Sequence, residues 1–73
     1  MTLHEFLVRH VDSNQKIDVF VNSDDYSYLV IKKEKCRDVV HNDEYKTFLE
    51  STVIKYNALR EELVLNIYID LEE

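Results

Sequence analysis

The chain has 73 residues, 45% hydrophobic and 33% charged, with no glycine, no proline and one cysteine. That length makes one small domain, residues 1–73, which can bury roughly 60% of its unfolded surface; so small a core is poorly suited to enclosing a catalytic cavity. The formal net charge is −6, all of it in residues 38–73 because the charges of residues 1–37 cancel, and such a chain lacks the cationic surface that nonspecific nucleic-acid or anionic-lipid binding needs.

The missing glycines exclude whole classes of site. A Walker A loop, a dinucleotide-binding turn, a Gly-x-Ser-x-Gly elbow and an RNA-clamping Gly-x-x-Gly each need backbone without a Cβ. Turns must instead use Asn, Asp and Ser. The lone Cys36 excludes an intrachain disulfide and suits a reducing compartment. No apolar run is long enough to span a membrane, and Met1–Val11 is too charged to read as a secretory leader, so a cytoplasmic location is expected.

In chain order, Thr2-Leu3-His4-Glu5 forms a capping box at the head of an apolar pattern, Leu3, Phe6, Leu7 and then His10 or Val11. It predicts an amphipathic helix of about ten residues, ending near Asp12-Ser13-Asn14. Ile17 to Val21 alternates as a strand, with Ile17, Val19 and Val21 on one face. Asn22-Ser23-Asp24-Asp25 is a turn signal, and Tyr26 to Lys33 is a second strand, completing a hairpin. The basic cluster Lys32, Lys33, Lys35 and Arg37 follows. Residues 35–51 carry Cys36, Val39, Val40, Tyr45, Phe48 and Leu49 at helical spacing, with a break near His41-Asn42 and Asn42 or Asp43 as a cap. Thr52 to Ala58 is a third strand, Arg60-Glu61-Glu62 a turn, and Leu63 to Leu71 the clearest strand, apolar at every odd position. The order αββαββ predicts an α+β two-layer sandwich: a four-stranded antiparallel sheet with helices on one face.

Two short helices cover one side of such a sheet. With the aliphatics inward (Ile17, Val19, Val21, Leu29, Ile31, Leu63, Leu65, Ile67, Ile69), the opposite parity puts Phe20, Tyr26, Tyr28, Val30, Val64 and Tyr68 outside. An exposed tyrosine-rich sheet face suits a protein interface, because tyrosine offers area and a hydroxyl at little entropic cost. The candidate partner-binding residues are Phe20, Tyr26, Tyr28, Val30 and Tyr68, with the acidic pairs Asp24, Asp25, Glu61 and Glu62 for a cationic partner.

The tests for chemistry leave no catalytic, cofactor or metal site. One cysteine and three histidines fall short of a structural zinc set. Cys36 and His41 have no identifiable oxyanion donor beside them, and the adjacent carboxylates lie in turns and a tail. Tyr26 and Tyr28 beside Lys32 offer a stacking platform for single-stranded nucleic acid, which the net charge opposes.

Met1-Thr2-Leu3-x-Glu5-Phe6-Leu7, Ile17-x-Val19 and the closing Val53…Ala58…Leu63-x-Leu65-x-Ile67-x-Ile69 resemble small uncharacterised proteins of phages and mobile elements in Gram-positive bacteria. The chain departs from that pattern in having no glycine in its turns, and no functional residues carry over. The resemblance implies an accessory factor that binds and blocks a host defence or nucleic-acid-binding protein, as anti-CRISPR proteins do. The expectation is thus a non-enzymatic acidic module that binds a cationic protein surface, possessing no cofactor. The alternatives are a homodimer through the tyrosine-rich face and a weak single-stranded nucleic-acid binder.

Overall fold

The structure, a computed structural model, describes residues 1–22, 26–59 and 64–70. Helix α1 (Leu3–His10) opens at Thr2, whose hydroxyl oxygen accepts from the Glu5 amide at 3.2 Å. Glu5 near the first turn and Arg9 and His10 in the last complement the helix dipole. Leu3, Phe6 and Leu7 form its buried stripe. Beyond it, the Asp12 carboxylate accepts from the Asn14 amide at 2.8 Å and the Gln15 amide reaches the Asp12 carbonyl, an Asx turn that needs no glycine.

Strand β1 (Lys16–Asn22) and strand β2 (Ser27–Lys35) form the first hairpin. The helical layer resumes with α2 (Cys36–Val40), a 3-10 turn (Asp43–Tyr45) and α3 (Lys46–Leu49), so the expected break falls where His41-Asn42 predicted it. Asn42 caps the second half, its side chain accepting from the Glu44 amide at 2.9 Å. Strands β3 (Thr52–Leu59) and β4 (Val64–Asp70) make the second hairpin. The α+β two-layer arrangement and the order αββαββ stand, with the second helical segment divided.

The sheet is mixed rather than wholly antiparallel. Its order is β2-β1-β4-β3, and the two hairpins abut through a parallel β1–β4 pair. Local turns make each hairpin antiparallel, but nothing local sets how one hairpin lies against the other. The strands β1 and β4 take the centre, each with alternate aliphatics turned to the core. Ile17 lies beside Leu65, Val19 beside Ile67 and Val21 beside Ile69, all facing the helices. Leu3, Leu7, Val39 and Ile31 close the core against them, and Cys36 fills a buried position in it. Of the predicted inward residues on β4, Ile67 and Ile69 are fully buried and Leu65 packs half-buried on the core; Leu63 lies outside the described residues.

Both edge strands are irregular. In β2, Ile17 opposes Glu34 and Val19 opposes Ile31, so one extra residue is accommodated there. Lys33 takes it up at φ 49°, a left-handed conformation costly for a lysine. The Asp18 carboxylate accepts from the Lys33 amide at 2.6 Å and holds the bulge. A second shift follows at once: Val19 opposes Ile31 but Phe20 opposes Leu29, leaving Val30 as the extra residue. In β3 the shift lies between Val53 and Lys55, at Ile54. The β2 edge, bulged twice and bearing Lys32, Lys33 and Lys35, resists pairing with another sheet edge.

Candidate binding surface

The outer sheet face, the one away from the helices, is set by these bulges. Residues directly opposite one another in a ladder share a face. Phe20 therefore carries Leu29 on one side and Tyr68 on the other, and Tyr68 carries Lys55. The four make one row across all four strands. The Phe20 and Tyr68 rings are stacked, with centroids 4.9 Å apart and planes 16° apart. Lys55 Nζ sits 4.7 Å from the Tyr68 centroid, a cation–π contact. The row presents ring edges and the Tyr68 hydroxyl, because neighbouring side chains occupy the ring faces.

On one flank lies a polar row, Asp18, Asn66 and Asn57. Asp18 is engaged with the β2 bulge, and the Asn66 side-chain oxygen is buried without a partner among the described residues. Beyond it Lys35 opposes Lys16, and Lys16 lies beside Val64, which is buried yet outside the core cluster. At the other end the same face carries Asn22 and Ser27, and Thr52 opposite Asp70.

Four predicted positions are corrected. Tyr28 opposes Val21, so it lies on the helix side of the sheet, not the outer side. The Tyr26 ring, 6.1 Å from that of Tyr28, goes with it. Both remain exposed, at 64% for Tyr26 and 45% for Tyr28, because the helices do not reach that end of β2. Val30 does not face outward either: the bulge turns it onto the core, where it is half-buried. Leu29, expected inside, takes the outer place and is 41% exposed.

Phe20 and Tyr68 are the predicted pair that the fold brings together. Sequence reasoning missed Leu29 and Lys55, whose parity depends on bulges that alternation does not reveal. Asp24, Asp25, Glu61 and Glu62 lie outside the described residues. The strands flanking them end at opposite ends of the sheet, since β1 and β4 run parallel: Asn22 is separated from Val64 by about 20 Å of strand.

A second surface lies on the helix side, where α1 leaves part of β3 uncovered. It is an open groove of about 630 Å³ walled by Phe6, His10, Val53, Tyr56 and Leu65, with Met1 at one end. Tyr56 opposes Ile67 and so belongs here. Its ring lies 4.9 Å from Phe6, which in turn lies 5.9 Å from His10.

Two titrating groups sit within the fold. The first β2 bulge rotates Glu34 to the helix side, where its carboxylate acts on the Tyr45 phenol. The hold of Glu34 on the phenolic proton, then burial and the nearby charges of Glu34 and Glu44, push the phenol up to about 12. The Cys36 thiol lies 3.7 Å from the Leu7 carbonyl, and its pKa is raised by burial and by Asp12. Among the described residues no group of three or more His, Cys, Asp or Glu side chains is placed to hold a metal ion, and no helix is long and apolar enough to cross a membrane.

No family model matches this chain, and neither a curated protein nor a solved structure matches it.

Proposed function

We propose that the protein is a non-enzymatic binding module whose outer sheet face engages another protein with a cationic surface. The observation that carries this reading is the row Leu29, Phe20, Tyr68 and Lys55, an apolar and aromatic strip ending at a lysine, across a sheet face that no helix among the described residues covers. Packed aromatic anchors between polar rims are the usual core of a protein interface. The net charge of −6 favours a cationic partner and speeds its approach. The resemblance to small phage and mobile-element proteins gives that partner a setting: a host defence or nucleic-acid-binding protein in the bacterial cytoplasm, blocked in the manner of an anti-CRISPR protein, with the acidic side chains standing in for phosphates.

Capture from a bacterial lysate, at low and then high salt, tests the reading. Wild type retains a cationic protein at low salt and releases it as salt rises. Leu29→Asp and Tyr68→Ser each lose it, as does reversal to lysine at Asp24, Asp25, Glu61 and Glu62. Retention by the row variants overturns the assignment of the outer face, and retention by the charge-reversed protein overturns the acidic contribution.

A second reading is a symmetric homodimer through the same row, since a flat apolar strip is complementary to itself across a two-fold axis. Sedimentation of wild type, Leu29→Asp and Tyr28→Asp decides it. A monomer at every concentration removes it, and dissociation by Leu29→Asp but not Tyr28→Asp places the contact on the outer face. Single-stranded nucleic acid is less well served, because the Phe20 and Tyr68 faces are already covered and Tyr26 and Tyr28 lie on the other side.

A further inference from the structure

The free edge of β3 and the groove beside it form one feature. The segment Met1–Thr2 pairs with the start of β3: the Val53 amide donates to the Met1 carbonyl at 2.9 Å, the Leu3 amide donates to the Ser51 carbonyl at 2.8 Å, and Thr2 bridges Thr52 in antiparallel sense. This is the beginning of a fifth strand. From Ile54 to Asn57 the edge continues, and among the described residues no main-chain bond reaches it from that side. An edge of this kind offers unpaired amides and carbonyls.

The groove lies directly along that continuation. Its walls are apolar and aromatic, with Phe6 buried at the base. Ile54 and Tyr56, on the strand itself, are 48% and 58% exposed. A strand placed on this edge sends alternate side chains to opposite faces. One set enters the groove against Phe6, Tyr56 and Leu65. The other set lies on the outer-face side, where Lys55 is the nearest β3 side chain with a charge. His10 and Lys55 are the ionisable lining groups of basic type, and no acid lines the groove among the described residues, although the chain as a whole is strongly acidic.

We infer that the β3 edge from Ile54 to Asn57 accepts an extended peptide segment of a partner protein, alternating apolar and acidic residues, as an added strand that continues the line of Met1–Thr2. The main chain supplies the affinity, the groove selects apolar side chains at every second position, and Lys55 on the outer-face side selects acids at the others. The Ile54 bulge locates the register, because the ladder is regular only beyond it. This site shares Lys55 with the outer row but is otherwise distinct from it, and Tyr56→Asp tests it without altering that row.

The test uses a fluorescent ten-residue peptide alternating valine and glutamate, its counterpart with lysine for glutamate, and the full chain. The glutamate peptide binds, the lysine peptide binds at least ~10-fold more weakly, and Tyr56→Asp weakens the glutamate peptide by at least ~10-fold. Val8→Asp, an exposed change on α1 outside the groove, leaves binding unchanged, and circular dichroism verifies that both variants are folded. Amide exchange at Ile54–Asn57 slows when the peptide is saturating. The inference is overturned by no binding at millimolar peptide, by equal binding of the two peptides, or by binding that leaves those amides unprotected.

Discussion

Asp18 supplies the sharpest test of how this sheet is built. Its carboxylate bonds the amide of Lys33, fifteen positions along the chain, and holds that lysine at φ 49°. A hydrogen bond to a charged acceptor contributes about 1.5–3 kcal/mol. Asp18 is partly exposed, so the low end applies, and Asp18→Ala is expected to cost about 1.5 kcal/mol. A domain of this size has roughly 4–11 kcal/mol in total, so the loss is a sizeable fraction. With a urea slope of about 1 kcal/mol per molar, the midpoint falls by about 1.5 M. Asp18→Asn keeps an acceptor and loses about half as much. Lys33→Gly removes a left-handed penalty of about 1–2 kcal/mol, partly offset by glycine's greater freedom when unfolded, and is expected to be neutral to stabilising. It also lessens the effect of Asp18→Ala, since the bulge then holds itself. Urea unfolding followed by circular dichroism measures the three single variants and the Asp18→Ala/Lys33→Gly double variant against wild type. Asp18→Ala within 0.5 kcal/mol of wild type, or a destabilising Lys33→Gly, refutes the reasoning.

The remaining expectations concern the two groups held within the fold. One of the five tyrosines should ionise late, near pH 12, when absorbance at 295 nm is followed, and Glu34→Gln should move it back toward 10. Because the folded pKa is raised, the Tyr45–Glu34 contribution to stability is complete below pH 10 and is lost as pH rises through about 12; a single transition of all five tyrosines near 10 contradicts the assignment. Cys36, buried and with its thiol pKa raised, should react with a disulfide reagent only as fast as the fold opens, and at once in denaturant. Immediate reaction in native buffer shows that the core around it is not closed.

How far the residues foretold this arrangement depends on how local each signal is. Thr2 and Asn42 cap the segments they were expected to cap, because an N-cap bond spans two or three residues. Strand β4 was legible because its apolar positions alternate, and Ile67 and Ile69 are buried as that alternation requires. Strand β2 was not, because Tyr28, Leu29, Val30 and Ile31 are all apolar and no alternation exists to fix a face. Its parity is set by two bulges, one of them held by a bond from another strand. That is why Phe20 and Tyr68 were legible as outer-face residues, while Leu29 replaced Tyr28 beside them. The parallel centre was beyond reach for a similar reason: hairpin turns fix neighbours in sequence, and β1 and β4 are not neighbours.

That central pair also governs the route by which the chain finds its structure. Each hairpin closes a short loop and can form early and alone. The seam between them joins Ile17 to Leu65 and Val21 to Ile69, positions nearly fifty residues apart. The entropic toll of bringing such distant stretches together falls on a single late event, in which two half-sheets, each exposing one apolar strand, must collide in the right register. Substitutions at the seam, and those that weaken the hairpins formed before it, should therefore slow refolding, whereas those confined to contacts made after the collision should chiefly hasten unfolding.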